Sequence, residues 1–150
     1  MLIRPATAEE TALLSALAMR SKAFWGYDEV FLEACRAELT VDPERLERES
    51  VSVVCEDEVV LGFSAVRIDG REAELTDLFV DPDHIGSGLG RALWDHVVTQ
   101  ARLRGATRLR IESDPHAEDW YLRRGAVRVG MTPSGSIPGR NLPLLEYRLD

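Results

Sequence analysis

A chain of 150 residues, 45% hydrophobic and 29% charged, has ordinary globular composition and the length to bury one core, so one domain spanning 1–150 is expected. A formal net charge of -8 argues against nucleic-acid binding, which rests on a basic face that neutralises phosphates. No run approaches the roughly 18 apolar residues of a membrane span. The opening Met1-Leu2-Ile3-Arg4-Pro5 lacks the pattern of a secretory leader, so a cytoplasmic chain without a membrane partner is expected.

Leu2–Pro5 reads as a short strand ending at proline. Thr7 followed by Glu9 and Glu10 signals a helix start, and Leu13, Leu14, Leu17 and Ala18 give an apolar stripe at helical spacing. Asp28 can cap a second helix carrying Val30, Phe31, Ala34, Cys35 and Leu39. Val51–Cys55 and Val59–Ile68, separated by Glu56-Asp57-Glu58, form a hairpin signal, with Gly62 as a candidate bulge. Asp69-Gly70 turns the chain into a third strand, Ala73–Val80, which Asp81-Pro82-Asp83 ends.

Gly88–Arg104 is the clearest helix, because Leu89, Leu93, Val97 and Ala101 recur every four residues until Gly105 stops it. Arg108–Glu112 reads as a strand, Pro115–Arg124 as a short helix, Ala126–Met131 and Leu142–Leu149 as strands joined by a Pro/Gly/Ser loop. This order predicts a mixed α+β layer structure with helices covering a sheet. Cys35 and Cys55 stand apart without a CxxC pair and read as free thiols; His84, His96 and His116 lack metal-ligand spacing, so no metal is expected.

Between the third strand and the clearest helix lies Ile85-Gly86-Ser87-Gly88-Leu89-Gly90-Arg91. Three alternating glycines let backbone amides converge, and the following helix adds unpaired N–H groups and a positive dipole end. A pyrophosphate suits such a place. From Gly88 to Arg110 the bases Arg91, Arg102, Arg104, Arg108 and Arg110 face only Asp95, which fits either a highly phosphorylated ligand or a solvated helix face. A P-loop fails for want of Lys-Ser or Lys-Thr. A dinucleotide fingerprint fails because the sixth position is Arg91 counted from Gly86, or Leu93 counted from Gly88. The plain alternative is a tight turn without a ligand, which one glycine would satisfy and three exceed.

Ile85–Gly90 resembles the acetyl-CoA signature of the GNAT superfamily of N-acetyltransferases, Gln/Arg-x-x-Gly-x-Gly/Ala, with Gly88 and Gly90 at the small positions and Ile85 departing from the first. Ser113–Ala117 through Trp120–Ala126 looks like that family's second motif, and the element order matches along nearly the whole chain. The resemblance implies the GNAT fold, a central mixed, mostly antiparallel sheet flanked by helices. It also implies direct transfer of an acetyl group from acetyl-CoA to a primary amine of a small molecule or peptide; a catalytically silent CoA-binding sensor or regulatory module is the alternative, and family members are often homodimers.

On this resemblance Ile85, Gly86, Ser87, Gly88, Leu89, Gly90 and Arg91 cradle the pyrophosphate, and Leu78, Phe79 and Val80 lie along the pantetheine arm. Strict alternation would put Glu74 on one face with Thr76, Leu78 and Val80, and Asp77 on the other. Glu74 is therefore the candidate general base, against a plain exposed carboxylate. Tyr121 is the candidate acid for the departing thiolate, against a core stripe with Ala117 and Trp120. Trp25 and Tyr27 are expected at an acceptor wall, and Ser136 and Arg140 in the long last loop as further acceptor contacts.

Overall fold

The computed structural model describes all 150 residues. In chain order the elements are β1 (Leu2–Pro5), a 3-10 turn (Ala8–Glu10), α1 (Thr11–Ala23), α2 (Glu29–Leu39), α3 (Pro43–Arg48), β2 (Ser50–Glu56), β3 (Val59–Asp69) and β4 (Glu72–Val80). A second 3-10 turn (Pro82–His84) leads to α4 (Leu89–Leu103), β5 (Arg108–Glu112), α5 (Glu118–Arg123), β6 (Val127–Pro133) and β7 (Asn141–Arg148). The strands form one sheet ordered β1-β2-β3-β4-β5-β7-β6, in which only β4 and β5 run parallel. No helix is long and apolar enough to cross a membrane.

Local chemistry explains most boundaries. Asp28 accepts from the Phe31 N–H at 2.8 Å and starts α2. The short α3 escaped the sequence reading; Asp42 caps it by accepting from the Arg45 N–H at 2.8 Å, and Pro43 fills its first turn. Its only buried side chain is Arg45, so it carries no apolar period. Two stripe assignments fail: Leu13 is 50% exposed and Val30 82%, because α1 and α2 bury Leu14, Leu17, Ala18, Cys35 and Leu39 instead. α5 begins at Glu118 rather than Pro115, since Asp114 holds the preceding turn by accepting from the His116 N–H at 2.8 Å.

Helices cover both faces of the sheet. α4 and α5 pack on one, where Trp94, Val97 and Ala101 meet Leu75, Leu109, Ile111 and Leu145. α1 and α2 pack on the other, against Val53, Phe63 and Ala65. Each fully buried Leu or Phe here contributes about 1.5–3 kcal/mol. Cys35 and Cys55 both lie buried in the second layer as free thiols.

Two irregularities shape the centre of the sheet. The first bulge sits at Leu61: Val54 pairs Gly62 while Cys55 pairs Val60. Gly62 is needed beside it because a Cβ would lie 2.8 Å from the Phe79 carbonyl oxygen. The second bulge is at Thr76: Ala65 pairs Asp77 and Val66 pairs Leu75. One extra residue reverses every later side chain. Ala73, Leu75 and then Leu78 and Val80 face α4, while Asp77 and Phe79 face α1 and α2 with Ala65 and Phe63. Glu74 shares that second face, across from Arg67. The expected grouping of Glu74 with Leu78 and Val80 is therefore corrected by the bulge.

Candidate active site

β4 and β5 pair only from Glu72↔Arg108 to Leu75↔Ile111. Beyond Leu75 the strands part, and Thr76–Val80 keeps a partner on the β3 side alone. Backbone groups on the other side are left for a ligand, since such groups rarely stay unpaired. A cleft of about 1070 Å³ opens along this split.

At one end the cleft meets the glycine turn. Gly86 and Gly88 sit at φ 88° and 89°, a backbone region costly to other residues, with open space where a side chain would project. Gly88 heads α4, whose first helical bond runs from Ala92 N–H to Gly88 O at 3.1 Å. The amides of Leu89, Gly90 and Arg91 consequently have no intrahelical acceptor. Leu78, Phe79, Val80, Ile85, Gly86, Gly88, Gly90 and Arg91 all line the cleft. Leu89 and Ser87 do not: the Leu89 side chain is core, 4% exposed, and the Ser87 hydroxyl donates to the His84 carbonyl. Arg124, unmarked by the sequence reading, also lines the cleft, with its guanidinium 4.6 Å from the Trp120 ring centroid and its Nε buried without a partner.

Tyr121 lines the same cleft from α5, only 7% exposed, and its hydroxyl makes no hydrogen bond within the protein. Burial first, then the charges of Asp77 and Asp114, push its phenol above the ordinary range. It therefore holds its proton across the physiological range.

Facing this cleft is a buried polar cluster that the sequence reading missed. Arg45 donates through Nε to Glu49 at 3.0 Å and through a terminal nitrogen to Asp77. Thr76, the bulge residue, donates to the second Glu49 oxygen. Asp77 is 5% exposed, and its Oδ2 has no partner in the protein. Burial pushes its carboxyl up to about 6 despite Arg45, with Glu49 and Glu38 adding to the shift. Only the bulge aims Asp77 this way, and no local pattern in Ala73–Val80 announces a bulge. Glu74 also lines the cleft, but Arg67 holds it at 2.7 Å.

Of the expected acceptor contacts, Trp25 lines the cleft, stacked on His116 at 5.1 Å between ring centroids. Tyr27, Ser136 and Arg140 lie outside the lining and are engaged with other protein groups. Arg140 donates to the Tyr27 hydroxyl at 2.8 Å, and Tyr27 donates to Asp114 at 2.9 Å, which Lys22 also reaches at 2.5 Å. Against the opposing effect of burial, Lys22, the His116 N–H and Tyr27 hold the Asp114 carboxyl below its ordinary range. This network ties the last loop to the α1–α2 connection. Ser136 donates to Glu38 at the end of α2.

Solved structures share this architecture. The PaiA N-acetyltransferase of Thermoplasma acidophilum, in complex with coenzyme A, aligns over 98% of both chains with TM-score 0.82 and 18% identity. A GCN5-related N-acetyltransferase from Rhodopseudomonas palustris aligns over 98% of this chain and 94% of its own, with TM-score 0.80 and 23% identity. YncA of Salmonella typhimurium, a structure holding acetyl-CoA, covers 100% of this chain and 94% of its own at TM-score 0.71 and 23% identity. No curated protein matches the chain. The sequence model of the acetyltransferase (GNAT) family matches residues 11–126, spanning the glycine turn, the split strands and Tyr121, and the chain belongs to that family.

Proposed function

We propose that this chain is an acetyl-CoA-dependent N-acetyltransferase that acts by direct transfer to a primary amine in a ternary complex. The observation that carries the reading is the glycine turn opening α4 at the mouth of the β4–β5 split. Amides of Leu89, Gly90 and Arg91 suit the pyrophosphate of CoA, and the unpaired edge of Leu78–Val80 suits the amide-bearing pantetheine arm. Coenzyme A and acetyl-CoA in the related structures from Thermoplasma and Salmonella support acetyl-CoA as the donor.

In this reading Asp77 takes a proton from the acceptor ammonium through its free oxygen. The amine nitrogen then forms a bond to the thioester carbonyl carbon, and the C–S bond breaks with its electron pair on sulfur. Tyr121 gives its proton to that sulfur and recovers one from the newly bonded nitrogen. The proton on Asp77 passes to water, so the products are an N-acetyl amine, the CoA thiol and one proton. Glu74 is the other candidate base; both carboxylates pair with an arginine, and the burial of Asp77, which raises its carboxyl, favours it over the more exposed Glu74.

Calorimetric titration with acetyl-CoA, followed by a free-thiol assay over a panel of amines, tests the proposal. Micromolar binding with amine-dependent thiol release is the expected result. Binding without release to any amine would mean a silent CoA-binding module, and absence of binding by folded protein would remove the donor assignment.

A further inference from the structure

The end of the cleft away from the glycine turn carries more negative charge than a neutral thioester and one ammonium require. Glu38 at the end of α2, Glu49 after α3, Glu74 and Asp77 on β4, and Glu112 at the end of β5 all line it. Their charges reach one another: besides burial, Glu74 and Glu38 raise the Glu112 carboxyl above its ordinary range, and Glu49 and Glu38 act on Asp77. Arg45 and Arg67 line the cleft beside them. The first is engaged by Glu49 and Asp77, the second by Glu74. Arg110 acts on Glu112 from β5 but lies outside the lining. At this end five carboxylates meet two arginines, so negative charge is in excess; Lys22, elsewhere in the lining, is engaged by Asp114.

Acids at a surface are ordinarily just solvated. Asp77 is different, because it is 5% exposed and keeps an oxygen with no protein donor in the wall of the cleft. A buried carboxylate oxygen is ordinarily satisfied, so this oxygen is open to a hydrogen-bond donor, and the surrounding acids favour a cationic one. Apolar Leu39 and Leu142 line the cleft among these acids. Across this end the last loop is pinned down: Ser136 donates to Glu38, and Ile137 packs into the α1–α2 core.

Resting on the transferase reading above, the geometry points to a short aliphatic diamine or polyamine as the acceptor. One nitrogen is presented to the thioester beside Asp77 and Tyr121. The second stays an ammonium held by Glu38 and Glu112, and the methylenes between run along Leu39 and Leu142. Two charges separated by alkyl carbon match a lining that offers both carboxylates and apolar side chains.

The test compares kcat/KM for 1,5-diaminopentane with that for pentylamine, at low and high salt. A preference of at least about tenfold for the diamine, shrinking as salt rises, is expected. Glu38→Gln and Glu112→Gln should each cut the preference severalfold, and the double variant should abolish it. A ratio near one, or faster acetylation of a lysine peptide or an amino acid, would overturn the inference while leaving the transferase reading intact. Calorimetric titration of both amines into the protein, with and without CoA, reads the acceptor end independently of turnover. A diamine preference there without any transfer would sink only the transferase reading; no preference would sink the inference.

Discussion

In the proposed reading, recognition at one end of the cleft is by backbone: the turn through Gly86 and Gly88 and the first amides of α4 present N–H groups contributed by consecutive residues. At the other end it is written in side chains from α2, α3, β4 and β5, where Glu38, Arg45, Glu49, Asp77 and Glu112 converge from separate elements. The contrast suits a shared donor and a particular acceptor. A backbone cradle needs little beyond small residues and so tolerates drift elsewhere. A side-chain cluster can be rebuilt one residue at a time, which lets one fold serve different amines.

The sharpest way to break this comparison is Asp77→Asn. It should lower kcat/KM by about 10²–10⁴-fold while acetyl-CoA affinity, read by calorimetry, stays unchanged. Glu74→Gln should cost far less; the reverse ranking would return the base role to Glu74. In the wild type, kcat/KM should rise with pH through about 6, where Asp77 ionises, and Asp77→Asn should erase that limb. Stability carries the opposite sign. Because the folded state raises this carboxyl, its contribution is fully present below the ordinary carboxylate range and is lost as pH rises through about 6.

Tyr121→Phe comes next, with kcat reduced about 10²-fold and KM little changed, measured in the thiol assay. The hydroxyl has no protein partner, so the melting temperature should hold. A full-rate variant would leave Tyr121 as core packing. Gly88→Val should act at the donor end alone. A β-branched side chain at φ 89° is strained by more than about 1–2 kcal/mol, so acetyl-CoA binding should weaken about tenfold. The smallest effect belongs to Tyr27→Phe, which removes the hydrogen bonds joining Asp114 and Arg140. It should cost about 1 kcal/mol of stability in denaturant titration and leave acetyl-CoA affinity untouched.

The donor end was readable because its information is local. Alternating glycines, a strand that stops at Pro82 and a helix with four-residue apolar spacing lie side by side in the chain. The mixed sheet and the end of α4 at Gly105 followed from the same short-range signals.

The acceptor end could not be read that way. Period-two alternation along β4 pointed Asp77 away from Leu78 and Val80 correctly, yet it placed Glu74 with them, because it contains no term for an inserted residue at Thr76. Similarly, Tyr27, Ser136 and Arg140 looked like loop residues free for a substrate until their partners Asp114 and Glu38 arrived from distant elements. By itself the sequence determined most of the strands and helices, α3 excepted, and the glycine turn that opens α4, since propensity, capping and glycine conformation act within a few residues. Only the tertiary structure decided which carboxylate of β4 is buried in the cleft wall and which stays at its exposed edge, because that depends on strand register and on charges brought together across the sheet.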